Sequence, residues 1–257
     1  MTNMSEPKRK EYAYERTPIQ EAVFEMRTSV DNWDVALPGR FYEQVKKKFP
    51  IKQDIQRISV LVGSPGTNSP QIQAPVMQVW NKNKTQLLQI GPGVATANYL
   101  KYVSWIEFRP AIEELVRGYL ELAGPSSMTR LSTRYINRIV FDEPEIELGK
   151  YFNFGVNIPQ PIRKLSGFHF TFFNQEDISN GLQQHTRTTF FAVPSENQSE
   201  PDHNAIILDI DSYFLGTMEA TSTTLLTAAD GLHTSVGNIF ESFITDELRK
   251  KLGGREK

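Results

Sequence analysis

The stretch Thr129 to Phe141, TRLSTRYINRIVF, leaves the chain few ways to fold. Apolar and charged residues alternate along it. In an extended strand Leu131, Tyr135, Ile139 and Phe141 therefore point one way, while Arg130, Ser132, Arg134 and Arg138 point the other. Such a strand has one core face and one cationic face. It fits a sheet with one covered side and one side that gives the guanidinium groups carboxylates, phosphates or water.

The segment PIQEAVFEMRTSV, residues 18–30, repeats this design, with Ala22, Phe24 and Met26 alternating with Glu21, Val23, Glu25 and Arg27. After Leu37, Pro38 and Gly39, the stretch RFYEQVKKKF places Phe41, Val45 and Phe49 at helical spacing, with Lys46, Lys47 and Lys48 on the outer arc. A strand is expected from Ile51 to Val62, then a loop over residues 63–75, then a hairpin turning at Asn81 to Lys84. Gly91, Pro92 and Gly93 lack the third glycine and the helix start of a dinucleotide loop, so they read as a turn. Residues 104–122 form a helical stripe of Phe108, Ile112, Leu115, Val116, Tyr119 and Leu122; it is expected to start near Pro110 and to end at Gly124 and Pro125. A packed helix leading by a short connection into Thr129 to Phe141 makes that strand central.

Beyond the acidic segment FDEPEIELGK, strands are expected at 167–174, 184–193 and 204–214. In the last of these Ile206, Leu208 and Ile210 oppose Asp209 and Asp211. One long helix is expected from Ser222 to Leu252, with Gly231 and Gly237 as points of bending or close approach. The pattern predicts an α+β fold: a largely antiparallel sheet in two halves, packed by helices including a long C-terminal one. The expected parts are a flexible N-terminal arm over residues 1–17, an N-terminal α+β half over 18–145 and a C-terminal half over 146–257, joined as one folded unit.

A chain of 257 residues with net charge −2 has no bulk field to carry it onto nucleic acid or an anionic membrane. Without cysteine, thiol catalysis, disulfides and thiolate metal sites are excluded. No apolar run approaches the roughly 18 residues of a membrane span, and the polar start MTNMSEPKRKEY is no secretory signal, so a cytoplasmic protein is expected.

The polar faces define one constellation: Glu21, Glu25 and Arg27 on the first strand, Arg130, Arg134 and Arg138 on the central one, Asp209 and Asp211 on the last. Cross-strand pairing on a solvated face is the plain reading. The functional reading is that Arg27, Arg130, Arg134 and Arg138 hold an anion, with the carboxylates as charged partners. Charged strands of this kind resemble those lining the barrel of triphosphate tunnel enzymes, whose first strand carries alternating glutamates and a lysine. That resemblance implies a magnesium-dependent phosphohydrolase or a sensor of a phosphorylated small molecule. Here Val23 stands in place of a glutamate and Arg27 in place of the lysine. No nucleophile elbow, P-loop or paired metalloprotease histidines occur, so no catalytic residue, metal ligand or cofactor is assigned. The histidines His169, His185, His203 and His233 read as structural, with His169 able to approach His185 if their strands pair.

PIQEAVFEMR, RLSTRYINRI and GLHTSVGNIFESFIT, in this order, resemble a sporadically distributed family of uncharacterised bacterial proteins of about this length. The pattern positions are Glu21, Glu25, Arg27, Arg134, Tyr135, Asn137, Arg138 and His233. The resemblance implies a bacterial origin and a single folded unit. With no catalytic design in view, the expected function is a non-enzymatic binding or regulatory protein with a protein partner, in a bacterial defence or toxin–antitoxin setting. Nucleic acid is disfavoured by the acidic neighbours of the arginines.

Overall fold

The computed structural model describes residues 12–30, 33–55, 58–60, 70–72, 76–125, 127–143, 146–155, 167–179, 181–192 and 204–256. In chain order they form β1 (Tyr12–Tyr14), β2 (Ile19–Ser29), α1 (Leu37–Val45), β3 (Ile51–Ile55), β4 (Ile58–Val60), β5 (Pro70–Ile72), β6 (Val76–Trp80), β7 (Gln86–Gly91) and β8 (Val94–Tyr99). Then come α2 (Trp105–Ala123), β9 (Ser127–Val140), α3 (Leu148–Tyr151), β10 (Phe168–Ser179), β11 (Leu182–Ala192), β12 (Ala205–Met218), α4 (Ser222–Phe243), α5 (Asp246–Lys251) and β13 (Gly254–Glu256). Nine strands make one antiparallel sheet in the order β10-β11-β12-β9-β2-β8-β7-β6-β3, and the fold is α+β.

The chain traces one path twice. From β2 it passes through α1 to the outer strands, returns by the meander β6-β7-β8 so that β8 pairs with β2, and ends in α2. From β9 it passes through α3, returns by β10-β11-β12 so that β12 pairs with β9, and ends in α4. The two first strands, β2 and β9, pair antiparallel at the centre. The second pass thus begins at β9, ahead of the boundary expected near residue 145, and both passes share one hydrophobic core.

That core lies on the side of the sheet covered by helices. Ala22, Phe24 and Met26 of β2, Leu131, Tyr135 and Ile139 of β9, and Ile206, Leu208 and Ile210 of β12 are buried, as alternation requires. They pack with Phe108, Ile112, Leu115 and Val116 of α2 and Leu225, Ala229, Leu232 and Val236 of α4. Each fully buried large side chain here contributes about 1.5–3 kcal/mol relative to exposure.

Several boundaries differ from expectation. The strand expected from Ile51 to Val62 is two, β3 at the edge of the main sheet and β4 in a separate pair with β5, so β5 stands within the loop expected at 63–75. α2 starts at Trp105, not near Pro110, because Ser104 caps it by accepting from the Glu107 N–H at 3.3 Å. Pro110 is exposed, as is Ile106, whose carbonyl it leaves without a helical donor, so water can serve that oxygen. At the other end Gly124 closes the helix in the left-handed region, as its sequence position suggested. The expected long C-terminal helix is two. Ile244 is extended and bridges to Phe152, and Thr245 then caps α5, its hydroxyl accepting from the Leu248 N–H. The break falls at neither Gly231 nor Gly237, where an added Cβ would meet no neighbouring element within 4 Å. Nor does the expected N-terminal arm extend to residue 17: β1 pairs with β13, and the Tyr14 hydroxyl donates to Glu241 at 2.5 Å. Residues 1–11 lie outside the described residues, as do His203 and most of the loops expected at 63–75 and 194–204.

Candidate functional site

Among the described residues the other side of the sheet carries no helix, and its polar residues organise themselves differently along its width. On the first pass, amides form a relay across strands. Gln78 donates to Gln89 at 2.9 Å, Gln89 to Asn98 at 3.0 Å, and Asn98 to the Glu21 carboxylate at 2.6 Å. At the centre and on the second pass, arginines and carboxylates interlock. Arg130 donates to Glu25 at 2.7 Å and to Asp211 at 3.0 Å, while Arg134 forks onto Asp209 at 2.7 and 2.6 Å. The hydrogen bonds that Arg134 donates to Asp209 raise its pKa, burial working against them. Asp211 also accepts from the Ser132 hydroxyl at 2.7 Å and from Arg187 at 3.4 Å, and Glu25 accepts from Arg27 at 2.9 Å.

The register explains this meeting. Arg134 stands opposite Asp211 on one side and Val23 on the other, Glu25 stands opposite Ser132, and Arg187 stands opposite Asp211. A one-residue slip would put every one of these side chains into the core. Together they line a basin of about 460 Å³ whose walls include Arg27, Arg130, Arg134, Arg187, Glu25 and Asp211. Tyr213 lies beneath, with the Arg130 guanidinium 4.4 Å over its ring and His185 stacked on it at 5.3 Å.

The two carboxylates of the wall are each shared between arginines, so guanidinium donors outnumber acceptors. Arg130 is spent, with both terminal nitrogens on carboxylates and its side chain 18% exposed. Arg27 and Arg187 are not. Among the described residues Arg27 commits only its Nε, to Glu25, and Arg187 only one terminal nitrogen, to Asp211; their side chains are 58% and 39% exposed. With five N–H donors on each guanidinium, most of their capacity faces the basin and solvent.

The expected constellation is thus brought together in large part. Arg27, Arg130, Arg134, Glu25 and Asp211 line the basin, and Asp209 holds Arg134 from beside it. Glu21 ends the amide relay instead, and Arg138 lies farther along β9, opposite Ile207. Tyr135 and Asn137 face the helices. The Tyr135 hydroxyl is hydrogen-bonded to His233 Nδ1 at 2.6 Å and to the Tyr102 hydroxyl at 3.2 Å; Asn137 donates to the Leu208 carbonyl at 2.9 Å. His233 stacks on Trp105 at 4.4 Å. Burial drives the Tyr135 pKa well above its ordinary value and that of Tyr102 up to about 12. The pattern positions therefore divide between the site and the scaffold.

His169 and His185 do not approach each other, since β10 and β11 place them opposite Phe191 and Gln175. Gly93 has φ +66° in the β7–β8 turn, and its carbonyl accepts from the Thr28 N–H at 3.0 Å. Lys46 and Lys48 pair with Glu43 and Glu114. The sheet is open, with β10 and β3 at its edges rather than closed into a barrel as in tunnel enzymes. Among the described residues no three of His, Asp and Glu converge as metal ligands, and no helix is long and apolar enough to cross a membrane.

Alternation alone does not single out Arg187. It sits on the uncovered side of QHTRTTFFAV, but only strand register shows that it meets Asp211.

No protein-family model matches the chain, and no curated protein matches it.

Proposed function

We propose that the chain is a non-enzymatic binding protein whose uncovered sheet face takes an anionic group. The observation that carries this reading is the spare donor capacity of Arg27 and Arg187 above a network that already satisfies Arg130. A planar guanidinium suits phosphate or carboxylate by paired N–H···O bonds, and a rigid sheet holds the donors in place before the ligand arrives. Hydrolysis of a phosphate ester would need a carboxylate at liberty to hold magnesium or a water. Glu25, Asp209 and Asp211 are each bonded to arginine, which favours binding over turnover.

Thermal unfolding with phosphate, pyrophosphate and polyphosphate tests the reading. An anion at a hundred times its dissociation constant adds about 2.7 kcal/mol of stability. The double substitution Arg27→Ala with Arg187→Ala is expected to abolish this gain. It should leave the unliganded protein within about 1 kcal/mol of the parent, since exposed ion pairs contribute little. Stabilisation by none of the anions, or stabilisation that survives the double substitution, overturns the reading.

A further inference from the structure

Resting on the anion-binding reading, we infer that the ligand is a mononucleotide: a phosphate held in the arginine basin with a base stacked beside it on Phe173. Phe173 lies on β10 directly opposite Arg187, so the two side chains share the uncovered face. Their Cβ atoms stand about 5 Å apart, as in any cross-strand pair. At 75% exposure the Phe173 ring is far more accessible than the neighbouring Phe172, which turns toward the helices and contacts Phe154 and Phe243. Phe173 touches no other aromatic ring among the described residues, and no core requirement accounts for its side chain. An aromatic face open to solvent beside uncommitted guanidinium donors matches a base and its phosphate, with a ribose bridging the interval.

Size and charge select the monomer. The basin of about 460 Å³ falls in the range of small-molecule sites. A polymer would need a track of positive charge along the sheet, but the face carries Glu25, Asp209 and Asp211 between its arginines and neutral amides beyond them. Phe173 stands beside the basin and not in its lining, whose apolar side chains are Leu215 and Val23. These seat a sugar, and the Tyr213 ring of the lining is already taken by Arg130 and His185, so the basin offers no second stacking platform.

Calorimetric titration of the full chain with adenosine and guanosine monophosphate, ribose 5-phosphate, inorganic phosphate and a ten-residue single-stranded oligonucleotide tests the inference. Base stacking on an aromatic ring predicts that a nucleoside monophosphate binds about ten- to a hundredfold tighter than ribose 5-phosphate. Phe173→Ala should erase that difference without changing ribose 5-phosphate affinity, and Phe173→Trp should restore it. The ring is exposed, so circular dichroism of both variants should match the parent. Equal affinities for nucleotide and sugar phosphate, or an unaltered preference in Phe173→Ala, overturn the nucleotide inference while leaving anion binding intact. An oligonucleotide bound more tightly than the monomers, with a steep salt dependence, overturns the choice of a mononucleotide. If none of the phosphates binds, the anion-binding reading itself falls.

Discussion

The two passes of the chain build the same half-sheet on its covered side and different chemistry on its uncovered side. Beneath the helices, Val79, Leu88, Ile90 and Ala97 of the first pass correspond in kind to Phe190, Leu208, Ile210 and Ile139 of the second, all buried and all apolar. Above, β6, β7 and β8 of the first pass carry the neutral relay Gln78, Gln89, Asn98, while the second pass carries Arg134, Arg187, Asp209 and Asp211, joined at the centre by Glu25 and Arg27 of β2. Periodicity and core packing thus fix the scaffold, and the residues of opposite parity are free to differ. The amide relay runs from donor to acceptor and ends on the Glu21 carboxylate, with the Gln89 and Asn98 oxygens each taken by the amide before it. The ionic network does not close, because shared carboxylates leave donors over.

The largest expected effect tests that asymmetry. Asp211 is 5% exposed and serves Arg130, Ser132 and Arg187 together. Asp211→Ala therefore leaves the mostly buried Arg130 guanidinium to Glu25 alone and the Ser132 hydroxyl without its acceptor, and is expected to cost about 3 kcal/mol in urea unfolding. Gln89→Ala, at the middle of the amide relay, removes neutral bonds on a half-exposed surface and should cost about 1–2 kcal/mol. Equal costs would mean that the two halves of the face differ in charge but not in how they are held.

Tyr135→Phe probes the covered side, where the passes are alike. It removes a hydroxyl shared by Tyr102 and His233 and should cost about 1–3 kcal/mol. Burial keeps Tyr135 neutral in the folded chain at a pH where an unfolded tyrosine ionises. Its contribution is therefore whole below about pH 10 and is lost as pH rises beyond it, so the parent should lose stability above pH 10 more steeply than Tyr135→Phe. Parallel alkaline profiles would remove the buried hydroxyl from the account.

The alternation of TRLSTRYINRIVF and PIQEAVFEMRTSV was enough to find the sheet, its covered side and most of the charged wall, because side-chain parity is a local property of a strand. What alternation cannot supply is register. Hence alternation does not single out Arg187, leaves His169 and His185 free to meet, and groups Glu21 with the arginines although it ends the amide relay. Apolar spacing misplaces helix ends where a side chain overrides a backbone rule. The Ser104 cap starts α2 five residues ahead of Pro110, and the Thr245 cap followed by Asp246 and Glu247 starts a new helix where apolar spacing runs on unbroken. Tyr135, Asn137 and His233 drew notice as a pattern, yet a hydrogen bond from β9 to α4 is a long-range fact that no spacing reveals.

The smallest expected effect lies at the seam between the passes, where their terminal helices α2 and α4 are tied by Asp230. That carboxylate accepts from Trp105 at 2.8 Å and from Arg109 at 2.9 Å. Burial opposes its ionisation, but these two donors outweigh burial and hold its pKa below the ordinary carboxylate range. A depressed acid contributes stability that is whole above its unfolded pKa, near 4, and that disappears as pH falls through the folded value. With the side chain 42% exposed, solvent screening limits the contribution to a few tenths of a kcal/mol. Asp230→Asn should therefore lower stability slightly at pH 7 and flatten the acid limb of the profile below about pH 4. If Asp230→Asn instead approached the cost of Asp211→Ala, the two passes would depend on this seam more than on their shared sheet, and the contrast between the halves of the uncovered face would be secondary to how their helices are joined.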